Sequence, residues 1–196
     1  MIIQKLRNFL GFNNLKNDLN LIKLNQGKIL INQNSALKQD EVNNHEYKIF
    51  SQFGEDSIIQ FLINNLNISK NLFIEIGVEN YEEANTRFLL ENNNWEGLII
   101  DGSDKNIKFV REQNYYWRNK IKAVSRFVST DNINEIILDN KFRDNIGILS
   151  IDIDGNDYWL WESINVVSPD ILIIEYNANF GSKKSLTIKY DENFQR

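Results

Sequence analysis

LFIEIGV, residues 72–78, carries apolar side chains at odd and even positions around one acid, Glu75, with a glycine, Gly77, near its end. A strand with one wet face alternates apolar and polar residues; a run apolar on both faces indicates a strand covered on both sides, as in a parallel sheet. Working outward, Gly97–Asp101 (GLIID), Ile121–Ser125, Ile146–Ile153 and Asp170–Tyr176 form four more strand candidates. Amphipathic stretches of helix length lie around them, at roughly 55–67, 82–93, 104–114, 131–140 and 156–165. Five strands alternating with helices predict an α/β domain built on an open, doubly wound, mostly parallel sheet. Thr130 or Asp131 is expected to cap the 131–140 helix, with Asn134 and Glu135 in its first turn. Asn156 or Asp157 is expected to open the last helix, on which Trp159 and Trp161 cannot share a face.

The 196 residues leave room for one domain plus an appendage. Residues 1–48 read as an N-terminal helical or partly disordered arm and 49–196 as the domain. Within the arm, Leu15, Leu19, Ile22, Ile29 and Ala36 keep a 3-4 spacing whose missing members are Gln26 and Gln33. Two readings stay open for this stripe: a helix lying over the domain, or a coiled coil joining copies of the chain into a homo-oligomer.

A net charge of -5 offers no electrostatic footprint for nucleic acid. No run approaches the roughly 18 to 20 apolar residues of a membrane span. The opening MIIQKLRNFLGF lacks the apolar core and small-residue site of a signal peptide, so a cytoplasmic location is expected. With no cysteine, disulfides, iron–sulfur clusters and thiolate zinc sites are excluded. The one histidine, His45, lies in the polar stretch NNHEY and reads as an exposed linker residue, which leaves carboxylates as the candidate general bases.

Acids recur where such a sheet would bind ligands, outside the carboxyl ends of its strands. Glu75 lies within the first strand, Asp101 closes the second, Asp152 and Asp154 (SIDIDGND, Ser150–Asp157) belong to the fourth and Glu175 to the fifth. Charges in apolar strands are costly unless something uses them. The stretch FIEIGVENYEEANT has the acid, glycine and new helix of a nucleoside-binding turn, without G-x-G-x-x-G or G-K-[ST]. Asp101, 26 residues after Glu75, stands where a ribose-binding acid belongs; its other reading is a cap for the helix after Gly102.

Taken together, SQFGEDSIIQFLI, LFIEIGVEN, NTRFLLENN-WEGLIIDGS, ILSIDIDGNDYWLWESI and PDILIIEYNA resemble the FkbM-type S-adenosylmethionine-dependent methyltransferases over roughly residues 50–181. The resemblance implies a Rossmann-like sheet of order 3-2-1-4-5, S-adenosyl-L-methionine as cofactor, and methyl transfer to a hydroxyl on a sugar or other small metabolite. It places Glu75 and Gly77 at the methionine and ribose portion, Asp101 on the ribose, and Ser129 and Thr130 toward adenine. Asp152 matches the aspartate of the family's D-x-E-G-x-E signature and faces the methionine amino group. Asp154 replaces that signature's glutamate, as the catalytic base or a ligand for a divalent metal. Asp157, Glu175 and Asn177 are the substrate-side candidates, with Asp157 also read as a helix cap. Gln52, Glu55 and Asp56 match a leading segment over the cofactor pocket. Tyr81 replaces a second glycine, so Asn80 is expected in the left-handed region.

The class has two further strands, for which GSKKSLTIKYDENFQR leaves room for at most one, so a C-terminally truncated domain is expected. Two other functions compete. A truncated, non-catalytic cofactor-binding domain is one; a D-x-D glycosyltransferase, holding a metal against a nucleotide sugar with Asp152 and Asp154, is the other. An EF-hand fails on spacing, since its twelfth position would be Trp161.

Overall fold

The structure, a computed structural model, describes residues 11–36, 42, 46–181, 183–192 and 194; His45 lies outside them. The chain divides into two compact units, Met1–Asn65 and Leu66–Arg196.

The first unit contains α1 (Phe12–Ala36) and α2 (Glu55–Asn65). The turn before α2 is folded by the acids of SQFGED. Asp56 Oδ2 accepts from the backbone N–H groups of Ile49, Phe50 and Ser51 at 2.7, 2.7 and 2.8 Å, and from Ser51 Oγ at 2.8 Å. Glu55 Oε2 accepts from Phe53 N and Gly54 N at 2.9 and 3.0 Å. Burial pushes the Asp56 carboxyl up against these lowering contacts.

The second unit is the α/β sheet. Its strands are β1 (Leu72–Ile76), β2 (Glu96–Asp101), β3 (Ile121–Ser125), β4 (Asp144–Ile151) and β5 (Val167–Ile174). Their order is β3-β2-β1-β4-β5 and every neighbouring pair is parallel. Helices α3 (Arg87–Asn92), α4 (Asp104–Arg111), α5 (Asn114–Arg118), α6 (Ile133–Asp139) and α7 (Asp157–Ser163) occupy the crossovers. One core joins Ile74, Ile76, Leu98, Ile100, Leu149 and Ile151 of the strands to Ile133, Ile136 and Ile137 of α6 and Leu160 of α7. Phe73, Ile99 and Ile148 are also fully buried, and by the strand period of two they face the other side of the sheet. Burial on both faces is what the apolar runs required. Among the described residues, no helix is long and apolar enough to cross a membrane.

Several local expectations are corrected. The 82–93 helix begins only at Arg87, because Tyr81 to Thr86 form a turn; the 104–114 stretch divides into α4 and α5. In that turn Glu79 (φ 47) and Tyr81 (φ 59) occupy the left-handed region, not Asn80. Asn80 instead accepts from Glu82 N through its side chain at 3.0 Å, which lets an asparagine serve the turn without a positive φ. The N-cap of α6 is Asn132, neither Thr130 nor Asp131; its Oδ1 accepts from Ser129 N at 2.9 Å. Asn156 is the N-cap of α7, as expected. Trp161 is exposed while Trp159 is half-buried.

Candidate functional site

The register of the sheet brings the acids together. Ile76 pairs with Ile100 and Ile151, and Ile151 pairs with Ile174, so Asp101, Gly77, Asp152 and Glu175 each follow the same rung across four strands. Sheet order reverses between β1 and β4, where the first crossover goes one way and the later one the other. This is where an open α/β sheet forms its crevice.

Gly77 is dictated by this convergence. It has φ +82, and a Cβ there would lie 1.7 Å from the backbone oxygen of Asp152. Its N–H donates to Ile100 O at 2.9 Å while Asp152 N donates to Ile76 O at 3.0 Å, so the ladder continues one residue past the strand end.

Glu75 lies one layer deeper and is buried. Its Oε1 accepts from Asn85 N at 2.8 Å, and its Oε2 from Thr86 N at 3.0 Å and from Thr86 Oγ1. Burial raises its pKa to about 7, with the Asp152 charge adding to the effect and the hydrogen bonds opposing it. Glu75 thus anchors the entry to α3, and any ligand contact would have to share a carboxylate already holding that turn.

Asp101 Oδ2 accepts from Glu79 N at 2.7 Å; Oδ1 accepts from Ser103 N at 2.8 Å and Asn106 Nδ2 at 3.3 Å. A carboxylate offers about four lone-pair sites. Three are taken, which leaves little capacity for a ribose diol unless Asn106 yields. The cap of α4 is not Asp101 but Ser103, whose Oγ accepts from Asn106 N at 3.3 Å, and Asp101 braces the turn that leads into it.

Asp152 is the electrostatic focus. Partial burial of its carboxyl comes first, followed by the charges of Glu175, Asp157, Asp154 and Glu79, and together they raise its pKa to about 6. Carboxylate oxygens of Asp152, Asp154 and Glu175 all lie within 4.8 Å of one another, and all three residues are exposed. That spacing suits a divalent cation bound through oxygen ligands, and equally any compact cationic group. Asp154 (φ 58) and Gly155 (φ 140) form the turn that aims these acids outward. Asp157 is different: it is buried, with Oδ1 accepting from Ile153 N and Oδ2 from Gly155 N, both at 2.8 Å. Its carboxylate braces the turn.

Ser129 is buried and Thr130 half-buried, at the turn into α6. Thr130 Oγ1 lies 3.3 Å from the Tyr190 hydroxyl. Tyr190 belongs to a C-terminal segment that runs back across the β4–α7 turn. Trp159 Nε1 donates to Ile188 O at 2.9 Å, Asn156 Nδ2 donates to Asp191 O at 2.7 Å, and a Cβ on Gly155 would meet Phe194 and Ile188 side chains. The described residues after β5 form no strand, so this wall is made of irregular chain. Asn177 lies away from the rung, in the exposed turn after β5, where its Oδ1 accepts from Asn179 N at 3.0 Å. Gln52, Glu55 and Asp56 belong to the other unit, where Glu55 and Asp56 hold their own turn.

Three participants were missed from sequence. Glu79 follows β1 closely enough for the strand-end rule to have found it. Tyr190 and Ile188 carry no local signal, because their role comes from contacts across the fold. No protein-family model, curated protein or solved structure matches the chain significantly.

Proposed function

We propose that this crevice binds S-adenosyl-L-methionine and that the protein is a methyltransferase acting on a hydroxyl of a sugar or other small metabolite in the cytoplasm. The observation that carries the reading is Asp152, at the reversal point of the sheet and within 4.8 Å of the Asp154 and Glu175 carboxylates, its pKa raised to about 6 first by partial burial and then by four neighbouring carboxylates. Such a concentration of negative charge favours a ligand bearing sulfonium and ammonium groups and disfavours a bare diphosphate.

When bound, the cofactor supplies a methyl group on positively charged sulfur. The chain's own tasks are then to orient and to move a proton. Asp152, with a pKa near neutrality, is suited to accept the acceptor hydroxyl's proton, while Asp154 and Glu175 flank the opening. Gly77 lets the β1 turn approach closely; Asp101 offers its remaining lone pair to ribose, and Ser129 and Thr130 line the side toward adenine. The acceptor side is left to Glu175, Asn177 and the segment around Tyr190, with Asp157 bracing the turn beneath them.

Calorimetry with S-adenosylhomocysteine tests this. Binding is expected, weakened at least tenfold in both Asp101→Ala and Asp152→Asn; a folded chain giving no heat overturns it. A second reading has one observation in its favour, the Asp152, Asp154 and Glu175 triad. If the protein is a metal-dependent glycosyltransferase, Mn²⁺ will be required for nucleotide-sugar binding, and S-adenosylhomocysteine will not bind. Cofactor binding without turnover on hydroxylated acceptors would instead identify a non-catalytic cofactor-binding domain.

A further inference from the structure

Helix α1 carries a surface that the crevice does not use. Along its 25 residues, Leu15, Leu19, Ile22, Gln26, Ile29 and Gln33 follow one another at alternating intervals of four and three. That is the seam of a coiled coil, sustained over a helix about 37 Å long. A helix lying on its stripe would cover these side chains. Instead Leu15, Leu19, Ile22 and Ile29 are 54, 50, 60 and 58% exposed. Single exposed leucines need no explanation, but four large apolar groups in one heptad register form an apolar strip, interrupted by Gln26 between Ile22 and Ile29.

The flanking residues indicate what covers the strip. The four-three order assigns Leu19, Gln26 and Gln33 to heptad position a, and Leu15, Ile22 and Ile29 to position d. Asp18 then falls at g and Lys23 at e, five residues apart, the separation at which a g residue meets the e residue of a parallel, in-register neighbour. The sequence thus supplies both members of an interhelical ion pair. Lys23 Nζ is 6.0 Å from the Phe50 ring centroid, at the outer limit of cation–π attraction, which a carboxylate partner outcompetes. The two glutamines point the same way. In a parallel, in-register assembly, a positions meet a positions, so each amide finds an identical amide. An antiparallel pairing would set these glutamines against the apolar d positions, and a slip of one heptad would set Gln26 of one copy against Leu19 of the other, each leaving a buried amide without its partner.

We infer that α1 is a self-association helix through which copies of this chain join in a parallel, in-register coiled coil. The inference is independent of the chemistry at the sheet, since it rests on α1 alone.

The test uses the full chain, which contains no cysteine, so any thiol introduced is unique. Sedimentation equilibrium at micromolar concentration is expected to give a mass at least twice the 23.1 kDa of the monomer. Ile22→Glu combined with Ile29→Glu should return it to the monomer mass. Asp18→Lys should weaken association about twofold to fivefold, and adding Lys23→Asp should restore it. Under mild oxidation Gln26→Cys should cross-link to itself much faster than Lys28→Cys, whose position c faces away from the seam. A wild-type mass of one chain overturns the inference, as does equal cross-linking of the two cysteine variants. Preferential cross-linking of Leu15→Cys with Gln33→Cys in a mixture also overturns it, because only an antiparallel arrangement brings those positions together.

Discussion

Two turns of this molecule look alike in sequence and are used differently. SQFGED (Ser51–Asp56) and DIDGND (Asp152–Asp157) each contain a glycine in the left-handed half of the map, Gly54 at φ +127 and Gly155 at φ +140, and each ends in an aspartate at the start of a helix. In both, that last aspartate accepts backbone N–H groups of the preceding residues: Asp56 those of Ile49, Phe50 and Ser51, Asp157 those of Ile153 and Gly155. In the first turn the remaining acid, Glu55, is spent in the same way. In the second, the carboxylates of Asp152 and Asp154 converge with that of Glu175 to within 4.8 Å, and the neighbouring strands raise Gly77 and Glu175 to the same rung. An acid-rich turn is therefore structural by default; the sheet register makes one of them a site.

The comparison breaks most visibly at Asp56. Asp56→Ala strands three buried N–H donors and the Ser51 hydroxyl, and should destabilise the chain by about 3 to 5 kcal/mol in urea unfolding, since each charge-assisted bond lost is worth roughly 1.5 to 3 kcal/mol before relaxation. Asp157→Ala loses two such bonds and should cost about 2 to 3 kcal/mol, with cofactor affinity falling as well because the turn carrying Asp152 and Asp154 loosens. Equal stability losses, with cofactor affinity unchanged in both, would mean that the turns do not differ in kind.

The strands were legible because burial on both faces leaves a composition that no other element of that length shares, and LFIEIGV, GLIID and ILIIEY carried it openly. Their order followed from the family resemblance. What stayed hidden were features decided by a distant partner. The late start of α3 reflects Glu75, a strand residue, holding Asn85 N and Thr86 N; local propensity around residue 82 contains no trace of it. The left-handed residues Glu79 and Tyr81 defied residue preference because Glu79 N is held by Asp101 and the Tyr81 ring is fully buried with its hydroxyl on Thr86. At the site, the acids at Asp152, Asp154 and Glu175 were visible as strand-end charges. The division of labour between Asp152 and Asp157 required the backbone of the turn, which sequence spacing alone does not give.

Asp152→Asn is the opposite of Asp56→Ala. It removes one charge from a cluster of like charges, so thermal stability should hold or rise slightly while ligand affinity drops, and a fall in stability comparable to that of Asp157→Ala would sink the distinction.

The smallest effect is the dependence on pH, and its sign is fixed by the direction of the shifts. Glu75 is raised from 4.5 to about 7 and Asp152 from 3.8 to about 6. An acid whose folded value lies above its unfolded one holds its proton longer in the folded chain, so the folded state binds more protons between the two values. Its contribution to stability is fully present below the unfolded value and is lost as pH rises through the folded one. Over about pH 5 to 7.5, where Glu55 with its lowered pKa stays ionised, the unfolding midpoint should therefore fall as pH rises. The buried Asp56, also raised, adds to the slope with the same sign; Asp152→Asn should remove only its own share and leave those of Glu75 and Asp56. Affinity for a cationic ligand should run the other way, weakening as pH falls through about 6 and Asp152 takes up its proton. Opposite slopes for stability and affinity, both altered by one substitution, are what a carboxylate kept for a ligand produces.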